Sequence, residues 1–273
     1  ALPILTSGGL GALAATAPLE AALQHAGWRE IFLVLAAMTL AVAIWLFVSV
    51  PERASGGDPE PLAVQWAGVR EVFGSGHFWR YAPLGLAMTG GFLAVQSLWS
   101  VSWLMQVNGH TRAIAAEHLA AMSVAMLVAY ILIGLLATGL ARRGLAPVTL
   151  MATGLGLSLL MLALIASEAW SQTGMLWVAY GTFSSFGTLA FSLTAAGFPV
   201  ALSGRATTAF NLMVFVGAFA AQWGLGLLID LLQAQGQTAA AAHRHTFLTL
   251  LAVQLLAYAW FLVGGPRRRP APG

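Results

Sequence analysis

Two stripes of polar and aromatic side chains are the part of this sequence best suited to bind a small molecule. At 100° per residue, the first stripe covers an arc of about 80° and about 21 Å of helix. It contains Thr89, Phe92, Gln96, Trp99 and Trp103. The second stripe contains Trp177, Tyr180, Ser184, Thr188 and Phe191. Amides, hydroxyls and indoles beside aromatic rings favour contact with an uncharged or aromatic solute.

Both stripes lie in long runs without a charged residue, 81–111 and 169–204. The hydrocarbon core of a bilayer is about 30 Å thick, and a helix needs about 20 apolar residues to cross it. The whole chain is 59% hydrophobic and 8% charged, with a mean hydropathy of +0.82, whereas soluble domains are about 25% charged. The sequence therefore predicts a membrane protein that crosses the bilayer repeatedly.

Each stripe residue also has a structural interpretation. Trp103 and Trp177 suit the membrane interface as anchors. Ser184 and Thr188 can bond to carbonyls one turn away or let helices approach closely. An unpaired amide in hydrocarbon is costly, so Gln96 must face either a watery cavity that holds substrate or a partner helix.

Two further amides, Asn211 and Gln222, share one face of the predicted span 206–232. Structural hydrogen bonding is the favoured interpretation for Asn211, which lies near the predicted cytoplasmic end of that span.

Charges and turn residues divide the chain into apolar spans, which predicts an all-α transmembrane fold. The eight predicted spanning helices are 1–22, 30–50, 79–105, 114–141, 145–167, 171–200, 206–232 and 245–265. Within the long break between the second and third spans, Leu62, Trp66, Val69 and Phe73 recur at helical spacing. This pattern predicts either a short helix at the membrane surface or a loop helix packed on the bundle.

The distribution of arginine predicts the orientation, since all 12 basic residues are arginine. With residue 1 in the cytoplasm, the predicted inner loops contain Arg53, Arg70, Arg80, Arg142, Arg143, Arg205 and Arg267 to Arg269. The predicted outer loops contain only Arg29, Arg112 and Arg244. Because cytoplasmic loops are rich in basic residues, we expect a multi-pass protein of the bacterial inner membrane with both ends of this chain in the cytoplasm.

Two turns carry a resemblance to a known family. Gly27-Trp28-Arg29 lies at a predicted outer turn, and the segment 134–144, GLLATGLARRG, lies at a predicted inner turn. The second resembles the G-x-L-a-D-r-x-G-r-r loop of major facilitator superfamily transporters, in which Gly134, Arg142 and Arg143 would belong to the inner gating motif. Thr138 stands where that loop has aspartate, so the family's charge relay would be incomplete here.

The resemblance implies that this chain is a fragment covering the fifth to twelfth helices of a twelve-helix fold. Residues 1–50 would be the last two helices of the N-terminal bundle, and 51–78 the cytoplasmic linker with its short interfacial helix. Residues 79–265 would form the complete C-terminal six-helix bundle, followed by a cytoplasmic tail at 266–273. The resemblance also implies secondary active transport by alternating access and a monomeric full-length protein. The family's eleventh helix, here 206–232, partly lines the cavity, which implies that Asn211 and Gln222 are secondary candidates for substrate contact. Its partners would be the lipid bilayer and a small-molecule substrate, with no nucleic acid.

Several kinds of chemistry are excluded by composition. The chain has no cysteine, which excludes disulfides, thiolate catalysis and thiolate-bound metals. It also has no lysine, and therefore no Walker-type phosphate loop. His243 and His245 are interpreted as residues of a solvated loop rather than as metal ligands. We expect no catalytic residues, no cofactor and no metal site.

The predicted spans have no acid, histidine or arginine at a bilayer midplane. Proton-coupled carriers usually need a titratable group within the membrane, so any coupling proton or ion would be bound by helices upstream of this chain. The sequence therefore predicts transport of a small, neutral or amphiphilic organic solute. The alternatives are a non-transporting membrane sensor or assembly subunit and, less favoured, a membrane-embedded transferase, which would need clustered His, Asp or Glu at one interface.

Overall fold

The computed structural model describes residues 22, 26–49, 61–170 and 173–264. Within these ranges the regular structure is helical and contains no strand. In chain order, the helices are α1 (Trp28–Ser49), α2 (Leu62–Gly74), α3 (Gly76–Gln106), α4 (Arg112–Arg142), α5 (Pro147–Ser167), α6 (173–195), α7 (Val200–Ala234) and α8 (Ala239–Val263). The all-α prediction is thus confirmed for the described ranges.

The predicted count of eight spanning helices is not confirmed. In the described part of the chain, six helices are long and apolar enough to cross a membrane, namely α1, α3, α4, α5, α7 and α8. The predicted span 1–22 lies outside the described residues. The predicted span 171–200 corresponds to α6, in which a 3-10 turn (Ser185–Thr188) separates two shorter α-helices, Thr173–Ser184 and Leu189–Ala195.

Helices α3 to α8 form one bundle around two apolar clusters. Trp103, Trp177 and Phe247 belong to one cluster, and Phe210 and Phe261 belong to the other. Helix α3 packs on α7 and α8, whereas α6 packs on α4 and α5. The C-terminal part of α6, Leu189–Ala195, also packs on α7, so the two groups of three helices are in contact. No residue of α1 is buried.

Glycine permits very close packing of α3 on α7. A Cβ added at Gly90 would lie 2.5 Å from the carbonyl oxygen of Val214, and one added at Gly217 would overlap the backbone of Leu86. Both obstacles are backbone atoms, which cannot rotate away as a side chain can. Small residues at such crossings are how membrane helices gain van der Waals contact in the absence of a hydrophobic driving force.

Helix α3 is not a regular α-helix, because it contains π-helical segments at Leu84–Thr89 and Val95–Trp99. A buried amide from α8 binds the first of them: Gln254 Nε2 donates to the carbonyl oxygen of Ala87 at 3.1 Å. The Gln254 side chain also lies against Gly91, where an added Cβ would be 3.0 Å from its nitrogen. This contact fixes α8 against the irregular part of α3.

Replacement of Gln254 by leucine should lower stability by about 1–2 kcal/mol, because it removes the donor from a buried hydrogen bond while nearly keeping the volume. The measurement is the thermal unfolding temperature of the purified full-length protein in detergent. The matched control is Gln233→Leu, because Gln233 is exposed on the surface of α7. This change should leave the unfolding temperature unchanged. Equal unfolding temperatures for the two variants would contradict the structural role of Gln254.

The assignment of His243 to a solvated loop is wrong. His243 lies in α8, is only 3% exposed, and its Nδ1 lies 2.7 Å from the carbonyl oxygen of Ala239. That carbonyl can only accept, so Nδ1 carries the proton and Nε2 accepts from Ser102 Oγ at 2.8 Å. Hydropathy alone placed the start of α8 too late, whereas Thr238 caps the helix by accepting from the backbone nitrogen of Ala241.

The surface helix α2 shows features of both predicted alternatives. Its buried residues, Gly68 and Val72, face the bundle, where α2 packs on α7. Leu62 and Trp66 of the predicted apolar stripe are exposed, by 73% and 63%. The C-terminal half of α2 is therefore packed on the protein, while the apolar stripe of its N-terminal half is uncovered.

Candidate functional site

The two predicted stripes meet where α3 and α6 cross. The rings of Phe92 and Tyr180 form an edge-to-face pair with centroids 5.3 Å apart. One turn away, Thr89 faces Gly187, where an added Cβ would be 3.0 Å from the threonine hydroxyl oxygen. Tertiary packing thus brings together residues that lie far apart in the sequence.

The irregular turns of α3 and α6 change which stripe residues share a face. A π-helical turn holds more residues than an α-helical turn and a 3-10 turn holds fewer, so a fixed step of 100° no longer describes either helix. Phe92, Tyr180 and Ser184 are buried between helices, whereas Gln96 and Trp99 are partly exposed. The two stripes are therefore split between the interior and the surface of the bundle.

Gln96 has the features expected of a residue that contacts solute or water. Its side chain is partly exposed and forms no hydrogen bond with any residue in the described ranges. It lies about 15 Å along the helix from the end of α3 at Gln106, within the charge-free run. Because an amide without a partner is costly in hydrocarbon, this position favours an aqueous surrounding.

A hydrogen-bonded link between α3 and α7 lies directly beside Gln96. Trp99 Nε1 donates to the carbonyl oxygen of Gln222 at 3.2 Å, and Gln222 Nε2 donates to Ser97 Oγ at 2.8 Å. Ser97 in turn donates to the carbonyl oxygen of Leu93. The structure therefore places the secondary candidate Gln222 next to the first stripe. It also adds Ser97, which lies outside the predicted stripe although it follows Gln96 in sequence.

The hydroxyls of α6 and α3 differ in their hydrogen bonding. Thr188 donates to the carbonyl oxygen of Ser185 at 2.8 Å. This matches the structural interpretation, in which the hydroxyl bonds to a backbone carbonyl one turn away. The buried hydroxyls of Thr89 and Tyr180 have no hydrogen-bond partner among the described residues. The side-chain amide of Gln254 lies near the Tyr180 hydroxyl. Buried polar groups normally find a partner, so Thr89 and Tyr180 remain candidates for bonds to water or solute.

Asn211 lies apart from this group. It is exposed on α7, next to Phe210, whose ring packs against Gly85 near the beginning of α3. Asn211 and Gln222 are about 16 Å apart along α7. A single small solute in contact with Gln222 would therefore not reach Asn211 without a change in position.

The predicted gating residues lie at the α4–α5 turn. Gly134 is exposed in α4, Arg142 is in its last turn and Arg143 is its C-cap. The chain then reverses through Gly144, whose φ of +90° is the left-handed conformation that glycine tolerates. In the described part of the chain, neither arginine forms an ion pair.

Charges in the described ranges lie in the first or last two turns of the helices or in the turns between them. Arg244 of α8 pairs with Glu168 at the end of α5, so even this bridge lies at one end of the bundle. No group of three potential metal ligands occurs in the ranges searched. The crossing of α3 and α6 is consequently an uncharged environment.

An apolar groove lies beside α6. It has a volume of about 210 Å³ between α4, α5 and α6, and Thr182 is its polar lining residue. Ile133, Leu136, Phe186 and Leu189 form much of its wall. The surface next to the crossing is thus suited to apolar groups.

Comparison with known proteins agrees with this architecture. Residues 4–222 match the family model described as Major Facilitator Superfamily. The fold is similar to that of a bacterial homologue of the human lysosomal transporter Spinster, solved in an inward-facing and unoccupied conformation, with a TM-score of 0.61 and 17% identity. The match covers 87% of this chain and 59% of that protein, so this chain spans about three-fifths of its length. No curated protein sequence is significantly similar.

Proposed function

The chain belongs to the major facilitator superfamily of membrane transporters, and we propose that it forms part of a secondary active transporter for a small, neutral or amphiphilic organic solute. Transport would proceed by alternating access, with two bundles rocking about a site near the membrane centre. In this proposal α3 to α8 are the C-terminal bundle, α1 belongs to the other bundle, and 51–78 is the linker between them. Residues 266–273 are then a cytoplasmic tail.

The observation that carries this proposal is the uncharged polar surface at Gln96. Its amide, which has no hydrogen-bond partner in the described ranges, lies next to the Trp99–Gln222–Ser97 link. It is also close in sequence to Phe92 of the Phe92–Tyr180 pair. An amide can both donate and accept a hydrogen bond, and aromatic rings offer apolar contact. Such a surface matches a solute with hydrogen-bonding groups and an apolar body.

The absence of charge near this surface supports a solute without full charges. A strongly anionic solute would be expected to meet a buried arginine, and a proton-coupled site a buried acid. The described charges lie near helix ends instead. The apolar groove at Phe186 and Leu189 adds a surface on which the apolar part of an amphiphile could rest.

The orientation follows from the arginines of the same bundle. Arg80, Arg142, Arg143 and Arg205 lie at the end where α2 packs. We assign this end to the cytoplasm of a bacterial cell because cytoplasmic surfaces of inner-membrane proteins are enriched in basic residues. Family membership points to a transporter rather than an enzyme, and the sensor or assembly-subunit alternative predicts no solute flux.

Uptake into proteoliposomes containing the full-length protein tests the proposal. Three fluorescent probes of one scaffold would be compared: the neutral amphiphile, its carboxylate and its quaternary ammonium derivative. We expect the neutral probe to enter at least about ten times faster than either ion, because a charge costs several kcal/mol in a site without a counter-charge. Protein-free liposomes report passive leakage. Faster entry of an ion would contradict the substrate class, and no protein-dependent flux of any probe would favour the sensor.

A further inference from the structure

A polar cavity lies at the end of the bundle opposite α2. We call it the distal pocket and define it by Trp103, Asn108, His110, Glu168, Trp170 and Thr173. It has a volume of about 290 Å³, where the end of α3, the α3–α4 turn, the end of α5 and the beginning of α6 meet. This volume is close to the lower limit of about 300 Å³ for ligand pockets.

Three buried polar atoms of the distal pocket have no hydrogen-bond partner among the described residues. They are Trp103 Nε1, Asn108 Oδ1 and His110 Nδ1. The Trp103 side chain is fully buried, at 0% exposure. Leaving a buried polar group unpaired costs about 1–3 kcal/mol, so three such atoms around one cavity indicate a bound polar molecule.

The backbone holds these groups in place. Gly109 has a φ of +67°, which lets the chain turn sharply after α3. The backbone nitrogen of His110 then donates to the carbonyl oxygen of Leu104 at 3.0 Å. The His110 ring also lies 5.2 Å from the ring of His118 on α4, tilted by 33°. The distal pocket is therefore formed without any ligand.

We propose that the distal pocket binds a small uncharged polyhydroxylated molecule, up to the size of a cyclic polyol. The indole Nε1 can only donate, and the Asn108 carbonyl oxygen can only accept. A hydroxyl group does both, so neighbouring hydroxyls of one ligand satisfy both atoms. Trp170, which is 55% exposed, supplies a flat apolar wall for the C–H face of such a ring.

Electrostatics disfavours a charged ligand in the distal pocket. Glu168 is the carboxylate of the pocket, and Arg244 already pairs with it. A cation would have to displace that arginine, and an anion would meet Glu168. An uncharged ligand leaves the salt bridge between Arg244 and Glu168 intact.

This site is distinct from the surface at Gln96. The two lie on different parts of α3, and the distal pocket is built from the ends of α3, α5 and α6. Its occupation does not depend on whether a solute crosses the membrane.

Saturation-transfer NMR on the full-length protein in lipid nanodiscs tests the proposal with three probes: myo-inositol, gluconate and choline. We expect transfer to myo-inositol and none to the two ions. Asn108→Leu and Trp103→Phe should each weaken the Kd for myo-inositol at least tenfold, since each removes one hydrogen bond. Gln235→Leu, an exposed change at the same end of the bundle, should leave the Kd unchanged.

Three results would overturn the proposal. Absence of transfer to myo-inositol would mean that the three atoms are satisfied by water alone. Transfer to gluconate or choline instead would assign the wrong chemical class. Unchanged binding in Trp103→Phe would mean that the ligand binds elsewhere. This variant keeps an aromatic ring at the position, so it tests the proposal even if Asn108→Leu does not fold.

Discussion

Alanine at Gly217 is expected to prevent the native packing of α7 on α3 and to cost about 3 kcal/mol or more, near the upper end of overpacking penalties. The added methyl group would overlap the backbone of Leu86, and helix backbone at a crossing can yield only if the whole helices separate. Separation would also loosen the neighbouring contact at Gly90. The measurement is the thermal unfolding temperature together with the monodisperse fraction on size-exclusion chromatography.

Gly224→Ala provides a matched control on the same helix, because an added Cβ there meets no atom within 4 Å. Alanine is the better helix former, by about 1 kcal/mol in soluble helices, so this control should unfold at the same temperature or slightly higher. If Gly217→Ala behaved like Gly224→Ala, the close crossing of α3 and α7 would be wrong.

Leucine at Gln96 is expected to reduce the initial rate of solute flux at least tenfold while leaving the protein folded. The change removes the donor and acceptor that we assign to substrate contact, which corresponds to about 1.4 kcal/mol or more of lost interaction. Folding should not suffer, because the amide forms no hydrogen bond within the described ranges. Flux would be measured in proteoliposomes with the neutral amphiphile, and folding by the unfolding temperature.

The control for this prediction is Gln106→Leu, the same substitution at the exposed end of the same helix. It should leave both flux and stability unchanged. Combining Gln96→Leu with Trp99→Phe, which removes the indole donor to Gln222, should lower flux further. Undiminished flux in the double variant would assign the stripe to structure and reject it as a substrate surface.

Part of the candidate site could be predicted from the sequence. The sequence is sufficient to predict a role for Gln96, because local hydropathy alone identifies it as an amide in a charge-free run. Ser97 was missed because the 100° pattern turns it away from Gln96, whereas the π-helical segment Val95–Trp99 alters the register at that point. The sequence makes Gln222 only a secondary candidate, although it bonds directly to Ser97. Nothing in the local sequence encodes that contact.

The sequence alone determined that the protein is membrane-embedded, all-α and a member of its superfamily, because hydropathy, helix length and short turn motifs are properties of neighbouring residues. Tertiary structure alone decided which polar groups are satisfied. The buried His243 forms a hydrogen bond with Ser102 of α3. The buried Gln254 donates a hydrogen bond to the carbonyl oxygen of Ala87. Such pairs join distant residues, and the irregular turns of α3 and α6 set their geometry. For that reason the Gln96 amide has no hydrogen-bond partner among the described residues, while its neighbour Ser97 binds α7.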